Sequence, residues 1–159
     1  MNNNSIDTWK IWYHSSKNSS WNNQSYKNIF EINNLYDLKF FIDSINLSHI
    51  KTGMFFIMKS GIFPTWEDKQ NRDGCCISYK IYDDIVKSKI DFIILELLIN
   101  DLKIKNNTIN GLSIVPKKNY CIVKLWLKKN IRKNEYQNVN IDDISFNVKN
   151  AIFKKHVIR

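Results

Sequence analysis

The sequence is poor in the residues that mark disulfide frameworks, flexible linkers and phosphate-binding loops. Its 159 residues include only three cysteines, two prolines and four glycines. An odd cysteine count, with Cys75 and Cys76 adjacent, does not fit the paired framework of small secreted domains. The scarcity of glycine and proline leaves no linker, so we expect one domain over residues 1–159, with residues 1–7 flexible.

Apolar runs are also short, and this excludes membrane-spanning classes. No run approaches the roughly 18 apolar residues that a transmembrane helix needs, and the first residues, "MNNNS", lack the basic and apolar pattern of a signal peptide. We therefore expect a cytoplasmic monomer without a membrane partner.

Motifs for catalysis and for metal or cofactor binding are missing as well. The sequence contains no P-loop, no Gly-x-Ser-x-Gly and no glycine-rich dinucleotide fingerprint. The histidines lie far apart, at His14, His49 and His156. None is at ligand spacing from a cysteine, which argues against zinc. The acidic pairs Glu67-Asp68 and Asp83-Asp84 leave open a metal-dependent RNA phosphodiesterase. We expect instead no enzyme, no metal and no cofactor.

Positive charge and aromatic residues are abundant. Lysine and arginine number 24 against 15 acidic residues, which gives a net charge of +9, and aromatic residues make up 13% of the chain. Phosphates attract cations, and bases stack on flat rings. The composition therefore favours a nucleic acid or nucleotide partner.

Hydrophobic periodicity indicates a mixed fold. Alternation predicts strands over 8–14, 54–59 and 75–81, and two strands within 109–129 joined at Pro116 to Asn119. Apolar spacing of three and four predicts helices over 34–45, over 88–102 with a Ser-x-x-Asp cap, and from about Asn140. Strands and helices with short joins predict an antiparallel sheet with helices on one face, the α+β class. On the last of these strands, Lys124 and Trp126 share a face that we do not expect to be core.

The segment "SGIFPTWEDKQNRDG" (60–74) places Trp66 directly before Glu67, and Trp21 stands alone in a polar loop. Two indoles can form a slot for a base, and stacking stabilises each base by about 1 to 3 kcal/mol. A cationic base gains more through cation–π attraction. Glu67 at the edge of the slot can accept hydrogen bonds from N1 and N2 of guanine. With lysines for phosphates, these features fit 7-methylguanosine with a phosphate chain, the messenger RNA cap.

The same residues resemble a known family, the cap-binding eukaryotic translation initiation factor 4E. The resemblance is closest over "TWKIWYHSSKNSSW" (8–21) and "GMFFIMKSGIFPTWEDKQNRDG" (53–74), and it continues through "GLSIVPKKNYCIVKLW" (111–126). It implies a curved antiparallel sheet with three helices on its convex face and a cap pocket on its concave face. It also implies a non-enzymatic protein of translation initiation whose partner is capped mRNA. The asparagine-rich and isoleucine-rich composition suits a divergent homologue from a parasite or a large DNA virus.

The resemblance also implies which residues contact the base of the cap. It implies that Trp21 and Trp66 sandwich the methylated guanine, that Glu67 reads its edge, and that Trp126 contacts the methyl group.

For the phosphates, the resemblance implies Lys117, with Lys118 and Lys124 as substitutes for basic residues that this chain lacks. The family's basic residues fall here on Cys76, Asn119 and Ile122. Weaker phosphate candidates are Lys154, Lys155 and Arg159.

The resemblance further implies a partner surface for a factor 4G-like scaffold or a 4E-binding protein. We place it at Leu35, Lys39, Ile94 and Leu95. The family's helical tryptophan falls on Lys39, unless a shift of one residue lets Phe40 take its role, and the family's acidic residue falls on Leu95. An alternative is therefore a cap-binding competitor or repressor that does not bind the usual 4G scaffold.

Overall fold

A computed structural model of the chain describes residues 5–158. Residues 1–4 and Arg159 lie outside the described range. Of residues 1–7, which the sequence predicts to be flexible, residues 5–7 begin the first strand. The single domain over 1–159 stays a prediction. No helix within residues 5–158 is long and apolar enough to cross a bilayer.

Seven antiparallel strands form one curved sheet in the order β2-β1-β3-β5-β6-β4-β7. The strands are β1 (Ser5–Ser15), β2 (Lys27–Asn34), β3 (Gly53–Lys59), β4 (Cys75–Tyr82), β5 (Ile109–Pro116), β6 (Tyr120–Leu127) and β7 (Ile152–Lys155). The predicted α+β class and all five predicted strands are confirmed. Strands β5 and β6 lie between β3 and β4, so residues 60–74 cross over two strands rather than closing a hairpin.

Three α-helices are present in the described residues: α1 (Leu35–Ser44), α2 (Leu47–Ile50) and α3 (Val86–Leu98). The predicted cap of α1 is confirmed, because the side chain of Asn34 accepts a hydrogen bond from the backbone N–H of Asp37 at 2.9 Å. The predicted start of α3 at Ser88 is wrong. The helix begins at Val86, and the hydroxyl of Ser88 donates instead to the carbonyl of Ile85 at 2.9 Å.

The helix predicted from about Asn140 does not form. Residues there make two short 3-10 turns, Ile144–Phe146 and Val148–Asn150. The side chains of Asp143 and Asn147 accept hydrogen bonds from nearby backbone N–H groups at 2.8 Å, which competes with helix formation. Ile144, counted in the apolar stripe, is 82% exposed. The third α-helix is α2, which is too short for a periodicity argument to find.

Successive side chains along each strand point to opposite faces of the sheet, and each face carries its own apolar cluster. The larger lies between the sheet and the helices and includes Val123, Leu125 and Leu127 of β6. On the opposite face, Phe56, Met58, Cys76 and Trp126 form a smaller cluster. The expectation that the face of Trp126 is not core is therefore wrong at Trp126 itself, which is buried. The smaller cluster is the floor on which the candidate site is built.

Candidate functional site

The connection between β3 and β4 is braced by hydrogen bonds of its own side chains. The carboxylate of Asp68 accepts from the backbone N–H groups of Phe63 at 3.0 Å and Gln70 at 2.8 Å. Asn71 is fully buried, and its amide donates to the carbonyls of Phe63 at 3.1 Å and Thr65 at 2.9 Å. Asp68 therefore braces the loop that carries Trp66 and Glu67.

The structure brings all four predicted base-binding residues to one pocket of about 270 Å³. Trp21, Trp66 and Glu67 line it from the loops. Three strands of the sheet contribute further lining side chains, namely Met54, Phe56, Ser113, Lys124 and Trp126. The indole N–H of Trp126 donates to the hydroxyl of Ser113 at 3.0 Å, which fixes the ring of Trp126 in the pocket floor. The pocket therefore brings together indole rings that can stack a base, a carboxylate that can accept hydrogen bonds from guanine, and a lysine that can contact a phosphate.

A buried histidine supports Trp21 from behind. The rings of His14 and Trp21 are stacked, with centroids 3.9 Å apart and planes 7° apart. The Nε2 of His14 lies 2.7 Å from the carbonyl oxygen of Ser20, which holds the histidine under the loop. Trp21 itself is 57% exposed, so a large part of its ring remains open to a ligand.

A second buried histidine supports Trp66. The rings of His156 and Trp66 are 5.1 Å apart with an interplanar angle of 20°. The Nδ1 of His156 lies 2.6 Å from the carbonyl oxygen of Asn71, and its Nε2 lies 3.1 Å from the Sγ of Cys76. A carbonyl can only accept, so Nδ1 carries the proton and Nε2 accepts from the thiol.

The electrostatics of this pair agree with that assignment. Burial lowers the pKa of His156, so the imidazole is neutral, although the hydrogen bond to Asn71 opposes the shift. Burial raises the pKa of Cys76 to about 12, so the thiol keeps its proton and can donate. The chain from Cys76 through His156 to Asn71 is therefore a neutral hydrogen-bonded brace behind Trp66.

Sequence reasoning missed this brace. His156 and Cys76 are 80 residues apart, and only the pairing of β7 with β4 brings them together. All three cysteines are free and buried. The one signal in the sequence was a cysteine at a position where the resemblance implies a basic residue.

The basic residues divide into two groups. Lys124 lines the pocket, and the Nζ of Lys154 lies over the ring of Trp66, 5.3 Å from its centroid. Lys117 and Lys118 are exposed in the turn between β5 and β6 and do not line the pocket. The structure therefore places Lys124 and Lys154, rather than the turn lysines, next to the slot.

Glu67 is exposed at the rim of the pocket. Burial, with a contribution from the negative charge of Glu67, raises the pKa of Tyr26, which also lines the pocket. The carboxylate is therefore close enough to the pocket to act on groups inside it.

On the helical side, Ile94 is fully buried in the core, so it is removed from the predicted partner surface. Lys39 is exposed and forms an ion pair with Asp43 one turn later on α1. Phe40 and Leu95 are 63% and 37% exposed, respectively. An apolar contact surface on this side would therefore use Phe40 and Leu95 rather than Lys39.

The acidic pairs have structural partners. Asp83 accepts hydrogen bonds from the Nζ of Lys51 at 2.9 Å, and Asp68 braces its loop. Among residues 5–158, no group of three or more metal-ligating side chains comes together. These contacts argue against the phosphodiesterase alternative.

Comparison with known proteins identifies relatives at the level of family and fold. A sequence profile described as eukaryotic initiation factor 4E matches residues 6–156. No curated protein sequence matches at a significant level.

Similar solved structures include three from worms. Caenorhabditis elegans eIF4E-3, in complex with the 4E-binding protein Mextli and a cap analogue, is similar with a TM-score of 0.75 and 15% identity, over 96% of this chain and 92% of that one. Schistosome eIF4E with m7GpppG and 4E-BP has a TM-score of 0.74 and 15% identity, over 87% and 80%. Ascaris suum eIF4E-3 with an m7G cap has a TM-score of 0.72 and 16% identity, over 87% and 81%.

Proposed function

Because the chain belongs to the eukaryotic initiation factor 4E family, we propose that it binds the 7-methylguanosine cap of mRNA and acts in translation initiation without catalysing a reaction. The observation that carries this proposal is the pocket shared by Trp21, Trp66, Glu67 and Trp126. Solved relatives of the same fold are complexes with cap analogues.

In this proposal, the methylated guanine lies between the two loop tryptophans. Methylation gives the base a positive charge, which favours two electron-rich ring faces. Glu67 accepts two hydrogen bonds from the N1 and N2 groups of guanine, and adenine lacks this pair of donors. The ring of Trp126 lies in the floor of the pocket, where it contacts the methyl group.

The phosphate chain then leaves the slot along the sheet. Lys124 lies in the pocket on the same strand face as Trp126, and Lys154 lies beside Trp66. We assign the phosphate contacts to Lys124 and Lys154. Lys117 and Lys118 extend the positive surface at the end of β6.

Retention on immobilised 7-methyl-GTP tests the proposal. We expect the protein to be retained and to be released by free 7-methyl-GTP but not by the same concentration of GTP. Trp66→Ala should lose retention, because stacking on one ring stabilises a base by about 1 to 3 kcal/mol. Phe40→Ala removes an exposed aromatic from the opposite side and should be retained like the parent. Equal release by GTP would contradict the proposal.

For the protein partner, we propose that an apolar surface formed by Leu35, Phe40 and Leu95 contacts a factor 4G-like scaffold or a 4E-binding protein. Solved relatives are complexes with Mextli and 4E-BP. The lysine at position 39, paired with Asp43, supplies no indole for such a partner. This observation favours the second candidate function, a cap competitor or repressor that does not engage the usual scaffold.

A binding assay with a factor 4G peptide separates the two roles. Tight binding that is lost in Leu95→Ala indicates an initiation role, whereas no binding by a protein that still binds 7-methyl-GTP indicates a competitor.

A further inference from the structure

Two tyrosines lie on the pocket face of the sheet, beyond the pocket itself. Strands β4 and β6 pair in the register Cys76 with Trp126, Ser78 with Lys124, Lys80 with Ile122 and Tyr82 with Tyr120. Because side chains alternate along a strand, Tyr82 and Tyr120 point to the same face as Trp126. The sequence analysis did not assign either tyrosine a role.

The tyrosines and a lysine form a compact group, here called the tyrosine platform: Lys80, Tyr82 and Tyr120. The two rings are 6.4 Å apart and nearly perpendicular, at 69°. The Nζ of Lys80 lies 4.3 Å from the ring centroid of Tyr120 and 5.0 Å from that of Tyr82. The ring of Tyr82 nevertheless remains accessible, because the residue is 55% exposed. An exposed aromatic ring beside an ammonium group offers a base a stacking surface and its phosphate a cation.

We propose that the tyrosine platform is a second RNA subsite, which stacks a base of the transcript that follows the cap. This inference rests on the proposed cap-binding function. Every base has a ring face, so the subsite takes bases of any type. The exposed turn lysines Lys117 and Lys118 lie three and two residues before Tyr120 in the chain and add positive charge near this end of β6.

The distance from the pocket decides which part of the ligand reaches the platform. Trp126 and Tyr120 are six positions apart on β6, which corresponds to about 20 Å at a rise of about 3.3 Å per residue. Lys124 lies between them on the same face. The phosphate bridge of the cap therefore has a basic contact on the way, and a nucleotide of the RNA chain, not the cap nucleotide itself, meets the platform.

The test compares two ligands on three proteins. The ligands are 7-methyl-GTP and a capped pentanucleotide of mixed sequence, and the proteins are the parent, Tyr82→Ala and Tyr82→Phe. We expect the parent to bind the capped RNA more tightly than 7-methyl-GTP. Tyr82→Ala should lower RNA affinity by a factor between about 5 and about 140, the range that loss of one stacking contact implies. Affinity for 7-methyl-GTP should not change, and Tyr82→Phe, which keeps the ring, should behave like the parent.

Two controls distinguish stacking from other effects. Tyr36→Ala removes a tyrosine that is 74% exposed on α1 and should bind both ligands like the parent. A capped pentanucleotide with abasic positions after the cap should bind parent and Tyr82→Ala equally. If Tyr82→Ala binds the ordinary capped RNA like the parent, or loses both ligands equally, the subsite is overturned while the cap pocket stands. If the parent does not bind 7-methyl-GTP, the cap-binding proposal fails, and the subsite fails with it.

Discussion

Each tryptophan of the slot rests on a buried histidine, His14 behind Trp21 and His156 behind Trp66. A ring that is already held in position loses less conformational freedom when a ligand arrives. We propose that the two histidines hold the tryptophans in position for a ligand that the histidines themselves do not touch. At this scale the chemistry of single side chains decides selectivity and the response to pH.

Glu67→Gln tests whether a carboxylate reads the guanine edge. We expect 7-methyl-GTP affinity to fall by about tenfold or more, because a hydrogen bond to a charged group contributes about 1.5 to 3 kcal/mol and the amide cannot accept from both donors as the carboxylate does. Isothermal titration calorimetry measures the change. Glu31→Gln alters an exposed glutamate on β2 and should leave the affinity at the parent value. An unchanged affinity in Glu67→Gln would remove the residue from the site.

His156 makes folding stability depend on pH. Its pKa is lowered in the folded protein, so above the unfolded value of about 6.5 both states are neutral and stability is complete. As the pH falls below about 6.5, the unfolded chain binds a proton that folded His156 resists, and the free energy of unfolding decreases. The slope is at most about 1.4 kcal/mol per pH unit for one proton.

Urea unfolding between pH 7.5 and 5.5 measures this effect. His156→Gln should show a flatter dependence than the parent, whereas His49→Gln, which changes an exposed histidine, should keep the parent's slope. Parallel curves for the parent and His156→Gln would show that the brace does not control the response.

At the scale of elements, the pairing of β7 with β4 explains how this chain differs from the family pattern at Cys76. The thiol is buried beside Trp126 and His156, at a position where the resemblance implies a basic residue. Lys154, opposite Cys76 on β7, is exposed over Trp66 and supplies a positive charge at this edge instead.

Cys76→Arg should therefore destabilise the protein rather than strengthen phosphate binding. Overpacking alone costs about 1 to 3 kcal/mol, and the buried guanidinium adds to that cost. Ser78→Arg places the same side chain two residues further along β4, at a half-buried position on the same face, and should be tolerated better. Denaturant unfolding compares the two variants. Equal stability of both would show that the brace leaves space for an arginine.

The elements that the sequence predicts correctly are those in which local capping and the burial of apolar side chains favour the same structure. Helix α1 begins at its asparagine cap and buries Leu38 and Phe41 on one face. The helix expected after Asn140 had a similar apolar spacing, but Asp143 and Asn147 bind the backbone locally and interrupt it. Periodicity cannot weigh such competing hydrogen bonds, nor can it find a four-residue helix such as α2.

The candidate site shows the same division. Trp66 and Glu67 were predictable because they stand together in one connection, and Trp21 because a polar loop offers it no core. His156 and the tyrosine platform were not predictable, because each depends on which strands become neighbours in the sheet. Sheet order is a long-range property, and adjacent positions along the chain carry little information about it.

At the scale of the whole molecule, the curved sheet separates two surfaces. Its helical face holds the main core and the exposed apolar side chains of Phe40 and Leu95. Its other face holds the slot and a row of lysines on neighbouring strands, Lys80, Lys124 and Lys154. Three of the basic residues behind the net charge of +9 thus lie on the face where we place a phosphate chain.

The central claim is that the slot selects the positive charge of a methylated guanine. Titration of intrinsic tryptophan fluorescence with 7-methyl-GTP and, in parallel, with GTP tests it most directly, because the two ring faces that would hold the base are themselves the fluorophores. We predict strong quenching by 7-methyl-GTP at concentrations where GTP quenches far less. Equal quenching by the two nucleotides, or none by either, would contradict the claim.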